Sequence, residues 1–158
     1  MFSVLVMSDE PPWYTDVVMP MLLAAGRTTY GRAIRTNLQS AGFGDMPRQG
    51  SRIVGGIARN GLNLADVSEV LGVSKQAASQ LVDTLVVRGY VERIAHPEDR
   101  RRMTVGLTER GRSAAQEIRA AVEAVDAQLV DRVGADELAV ARRVLGQLVE
   151  LSHDPHFA

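Results

Sequence analysis

The chain has 158 residues, the size of one ordinary domain, and its 46% apolar and 23% charged residues match a globular protein rather than a disordered or fibrous one. With no cysteine it can form no disulfide scaffold, thiolate metal site, Cys nucleophile or thiol redox switch. The net charge of −1 says nothing for nucleic acid by itself, but residues 75–110 carry seven basic and five acidic groups while residues 111–158 carry five and eight.

No apolar run approaches the roughly 20 residues that span a bilayer. Met1 to Val6 lack the basic start of a secretory signal, so a cytoplasmic location without a membrane partner is expected. Residues 1–15 read as a flexible segment broken by Pro11-Pro12, in which Met7 serves as a start as readily as Met1. From Pro20 a long helix is predicted to about Ala41, with Leu22, Ala25, Thr29, Ile34, Leu38 and Ala41 as its rough stripe. A turn at Gly42 to Pro47 precedes a short helix with Ile53, Val54, Ile57 and Ala58 inward, ended by Asn60-Gly61. Leu64 to Leu71 forms the next helix, with Asn63 as its cap and Leu64, Val67, Val70 and Leu71 facing the core.

After Gly72-Val73 the sharpest pattern begins. Ser74 caps a helix from Lys75 to about Arg88, whose apolar face is Ala77, Ala78, Leu81, Val82, Leu85 and Val86. Its other face carries Lys75, Gln76, Ser79, Gln80 and Asp83, and Gly89 stops it. The period then changes to that of two short strands, Tyr90 to Ile94 and Met103 to Leu107. Between them lies a basic turn, His96-Pro97-Glu98-Asp99-Arg100-Arg101-Arg102. Thr108 leads into a long helix with the stripe Ala114, Ile118, Val122, Val125, Leu129 and Val133, broken at Gly134. A last helix follows Asp136 with Leu138, Ala141, Leu145 and Leu148 on one side, and the tail from Ser152 is polar.

The piece from Leu64 to Arg88 thus has helix-turn-helix form. A helix that enters a major groove needs small polar side chains in its first turns, able to donate to and accept from base edges. Ser74, Lys75, Gln76, Ser79 and Gln80 meet that need. The arginine-tipped turn behind it, Arg100 to Arg102, suits phosphates or a narrow minor groove. Taken alone, each of these features is as readily a solvated surface, and the order in which they occur raises the DNA-binding reading. Chemistry has no comparable support. The sequence lacks His-Glu-x-x-His, a phosphate-cradling Gly loop and a Gly-x-Ser-x-Gly elbow. His153 and His156 sit in the polar tail without the further ligands a metal requires. The expectation is a protein that is not an enzyme and holds no metal or cofactor.

Four segments in this order, Leu71 to Val82, Arg88 to Arg93, Pro97 to Arg101 and Val105 to Gly111, resemble the MarR family of winged helix-turn-helix transcriptional regulators. The resemblance implies a mainly α fold with a small β-hairpin wing. Residues 16–158 would form a single domain, with a winged-helix lobe over about 46–110 and dimerisation helices over about 16–42 and 111–152. It further implies a homodimer on a pseudo-palindromic DNA operator, acting as a repressor that responds to a small aromatic effector. DNA contacts would fall on Ser74, Lys75, Gln76, Ser79, Gln80, Arg100, Arg101 and Arg102, with Asp99 holding the wing's shape. His96 departs from the Asp that usually precedes the wing proline. Trp13, Tyr14, Arg27 and Tyr30 are candidates for the effector pocket, although aromatics at helical spacing more often belong to a core. The alternative is a winged-helix protein-interaction module that never touches DNA.

Overall fold

A computed structural model of the chain describes residues 12–60, 64–95 and 103–151. Helix α1 (Met19–Ser40) starts with Pro20 in its first turn, where the missing N–H costs nothing, and ends as the Phe43 N–H reaches back to the Leu38 carbonyl at 2.8 Å. Helix α2 (Gly50–Asn60) buries Ile53, Val54 and Ile57, and α3 (Leu64–Leu71) buries Val67. Gly72, at φ +65°, makes the turn into α4 (Lys75–Val87). The Ser74 side chain caps α4 by accepting the Ala77 N–H at 3.2 Å, as predicted from its position. Gly89, at φ +71°, turns the chain into strand β1 (Val91–Ala95), which pairs antiparallel with β2 (Met103–Leu107) from Val91↔Leu107 to Ala95↔Met103. Helix α5 (Glu109–Val133) and helix α6 (Ala135–Leu151) complete the chain. The class is mainly α with one hairpin.

The core is assembled from every element except α6: Leu38 of α1, Ile53 and Val54 of α2, Val67 of α3, Ala78, Val82 and Leu85 of α4, Val91 and Val105 of the hairpin, and Ala114 and Ile118 of α5. Three faces differ from the sequence reading. Ala77, placed inward by periodicity, is exposed, because the core contacts of α4 run along Ala78, Val82 and Leu85 instead. Ala58 likewise lies outside. On α1 the expected stripe holds only near its end: Leu38 is buried and Ile34 packs against the core, whereas Ala25, Thr29 and Ala41 are exposed.

Element boundaries differ in two places. Tyr90 stands in the turn before β1, held by its N–H on the Leu85 carbonyl, rather than inside the strand. The last helix begins at Ala135, directly after Gly134 at φ +92°, so Asp136 and Glu137 lie in its first turn, where the helix dipole favours acids. Asn63, the expected cap of α3, lies outside the described residues, as do residues 1–11 and the tail with His153 and His156. Among the described residues no helix is long and apolar enough to cross a membrane.

Candidate nucleic-acid interface

Helix α4 is held by its buried side, and this fixes what it shows outward. Ala78, Val82 and Leu85 are fully buried, so the first two turns present Ser74, Lys75, Gln76, Ala77 and Gln80 to solvent, with Ser79 half-buried beside them. The small methyl of Ala77 adds no bulk to that face. Among the described residues the side chains of Lys75, Gln76, Ser79 and Gln80 form no hydrogen bond or ion pair. The surface is a set of exposed donors and acceptors on a rigid helix. Further along, Asp83 pairs with Arg93 of β1, tying the helix to the hairpin. Among the described residues the strand pairing runs as far as Ala95↔Met103. The wing-tip candidates Asp99, Arg100, Arg101 and Arg102, and His96 with them, lie outside the described residues.

A polar cluster at the base of the hairpin was not foreseen from the sequence. The Tyr90 hydroxyl donates to Asp45 Oδ1 at 2.5 Å, and Arg110 Nη2 donates to the same oxygen at 2.8 Å. The Arg110 guanidinium lies 4.5 Å from the centroid of the Tyr90 ring, a cation–π distance. Arg88, at the end of α4, donates to the Asp45 backbone carbonyl. The hydrogen bond from Tyr90 and the charge of Arg110 hold the Asp45 carboxyl below its usual range. These partners are 45 and 65 residues from Asp45 in sequence, beyond the reach of any periodicity argument.

A second tyrosine joins the other helices. Tyr30 of α1 donates to Asp126 Oδ1 of α5 at 2.5 Å, and Arg142 of α6 donates to Asp126 Oδ2 at 2.6 Å. Burial, followed by these carboxylate partners, pushes both Tyr30 and Tyr90 up to about 12 from 10.0. Their folded-state pKa values exceed the unfolded ones, so unfolding releases protons between the two. Stability is fully present below pH 10 and should fall as the pH rises toward 12. Thermal melts by circular dichroism should show this alkaline fall, and Tyr90→Phe should remove part of it. An alkaline limb identical in wild type and Tyr90→Phe would contradict the assignment.

Of the four effector-pocket candidates, Trp13 and Tyr14 stand ahead of α1, and Arg27 and Tyr30 lie three residues apart on it. Trp13 and Tyr14 stack edge to face and are exposed, Trp13 by 77%. Arg27 lines a groove of about 510 Å³ between α1 and α6, with Met19, Leu22 and Leu145. Tyr30 is engaged with Asp126. A larger groove, about 900 Å³, lies between α2, β2 and α5 and is bordered by Ile57, Arg59, Leu107, Arg112, Ile118 and Arg119. Among the described residues no group of three or more His, Asp or Glu could hold a metal ion.

A short helix, a glycine turn, a second helix with a free polar N-terminal face, and a two-stranded hairpin packed behind it define a winged helix-turn-helix protein. Residues 45–102 match the model of the MarR family. RV1404 from Mycobacterium tuberculosis is 25% identical, with a TM-score of 0.64 over 94% of this chain and 100% of that one. Streptococcus pneumoniae FabT in complex with DNA superimposes with a TM-score of 0.70 at 22% identity, over 85% of this chain and 95% of the other. The reduced form of MarR from E. coli gives 0.65 at 22% identity over 84% and 96%. No curated protein sequence matches the chain. The winged-helix segment matches the MarR family model, and the helices on both sides of it follow the fold of the MarR structure.

Proposed function

We propose that the protein is a sequence-specific transcriptional regulator that binds duplex DNA as a homodimer in the cytoplasm. The observation that carries this reading is the exposed, unpartnered polar face of α4. Gln76, Ser79 and Gln80 stand where base edges would be read, with Ser74 and Lys75 placed for phosphates. Arg100, Arg101 and Arg102 of the wing would add phosphate or minor-groove contacts, with Asp99 shaping the turn. The related fold of FabT is known in complex with DNA.

A lone helix-turn-helix makes few base contacts, and a two-fold dimer doubles them on a pseudo-palindromic operator. Support for that dimer comes from α6, which has no buried residue and leaves Val140, Val144, Leu145, Leu148 and Val149 exposed, while Met19 and Met21 of α1 are also bare. Apolar area of this extent on one end of a chain is characteristic of an interface. The dimer would act as a repressor released by a small aromatic effector. For that effector the sequence candidates Trp13, Tyr14, Arg27 and Tyr30 stay with the proposal, Arg27 with the added feature of lining the α1–α6 groove. No step of this function calls for catalysis or a cofactor.

The mass of the complex with a selected duplex, measured by light scattering, tests the proposal. Two protomers per duplex is the expected result. A monomer that ignores every duplex would instead indicate a winged helix used for protein contacts.

A further inference from the structure

We infer that Asp45, Tyr90 and Arg110 form a latch that sets the angle between the winged-helix lobe and α5, and so sets the half-site spacing the dimer accepts. This inference rests on the proposed function. Asp45 gathers three elements at one point: the end of α4 through Arg88, the start of β1 through Tyr90, and the first turn of α5 through Arg110. Tyr90 is fully buried, so its ring is fixed by packing and its hydroxyl can be aimed. Arg110 contacts both the Tyr90 oxygen, at 3.2 Å, and its ring.

Ala114 and Ile118 against the core favour burial but specify no direction, and the Thr108 N–H and hydroxyl on the Tyr90 carbonyl tie only the residue that opens α5 to the turn before β1. The hydrogen bonds to Asp45 do specify a direction. Ala114 and Ile118 thus act as a pivot and the latch chooses the angle. The lever is long. Helix α5 has 25 residues, or about 37 Å at the helical rise. A tilt of about 5° at its first turn therefore moves its far end by about 3 Å, close to the rise of one base pair. Because α5 runs from the DNA-binding lobe to the exposed apolar end of the molecule, this displacement would pass directly into the separation of the two recognition helices.

Asp45, Tyr90 and Arg110 are positioning residues and touch no DNA in this account. Their test uses Tyr90→Phe, which keeps the ring in the core, and Arg110→Gln, whose side chain is 42% exposed in the wild type and replaceable without disturbing packing. The probe is a duplex selected by the wild-type protein from a random-sequence pool, compared with the same duplex carrying one extra base pair between its half-sites. Wild type should clearly prefer the original spacing. Each variant should reduce that preference by about tenfold, the scale of one hydrogen bond to a charged partner. Hydrogen exchange on the free proteins should show faster exchange at residues 91–95 and in the first turn of α5, with the rest of α5 unchanged.

Equal weakening on both duplexes would reduce the cluster to general stability and overturn the latch, as would unchanged exchange at residues 91–95. Should wild type select no duplex at all, the DNA-binding reading falls separately. The exchange pattern then decides the latch alone: local loosening in both variants upholds the joint, and protection equal to wild type removes it.

Discussion

Gly111→Ala should destabilise the fold more than the same change at any other described glycine. A Cβ at this position would stand 1.9 Å from the Tyr90 carbonyl oxygen and 3.0 Å from its carbon, both backbone atoms that cannot rotate away. That oxygen is also the acceptor for the Thr108 N–H at 3.2 Å and the Thr108 hydroxyl at 3.1 Å. The Thr108 hydroxyl oxygen in turn caps α5 by accepting the Gly111 N–H at 3.0 Å. Relief of the clash must therefore open the joint between the hairpin and α5 and loosen the cap together. Overpacking costs about 1–3 kcal/mol and each lost hydrogen bond about 1 kcal/mol, so a loss of about 3–5 kcal/mol is expected. In a chain of this length that lowers the melting temperature by roughly 10 °C or more. Calorimetry of wild type and variant reads it directly. A variant melting within about 2 °C of wild type would mean the close approach at Tyr90 is not maintained.

The second large effect concerns recognition rather than stability. Gln76 and Gln80 are exposed, one helical turn apart on α4, and have no partner among the described residues. Their removal leaves the core contacts of Ala78, Val82 and Leu85 intact. A glutamine that reads a base bidentately contributes about 1–3 kcal/mol of discrimination. Gln76→Ala should therefore lower affinity for the selected duplex by about ten- to a hundredfold and relax the preference at one base pair of each half-site. Lys75→Ala should behave differently, weakening all duplexes alike and reducing the salt slope by about one per protomer. Selection of sequence pools by each variant separates the two. A Gln76→Ala protein with wild-type sequence preference would take base reading away from this face.

Much of the architecture was legible in the residues because the signals were local. Ser74 and Thr108 are caps placed by their own side-chain chemistry, and Gly72, Gly89 and Gly134 mark reversals that need positive φ. The hairpin's second strand, Met103–Leu107, was read to the residue from alternation alone. What escaped were features that depend on distance in sequence or on a missing partner. Asp45, Tyr90 and Arg110 carry no shared pattern, and only the packed lobe brings their polar atoms within hydrogen-bond reach. The stripes on α1 and α6 are amphipathic as expected, yet Ala25, Leu145 and Leu148 face solvent, since periodicity says that a face is apolar but not which surface will cover it. On α4 the same periodicity puts Ala77 with the core face, whereas the helix turns it outward.

The proposed function requires that α4 meet DNA. Fluorescence anisotropy of the purified protein on labelled duplexes from its own upstream intergenic region, titrated with salt, tests this. The predicted result is tight binding to a subset of those duplexes, at two protomers per site, with affinity falling steeply and linearly on a log–log salt plot. Absence of any salt-dependent binding to every duplex, down to low salt, would contradict it.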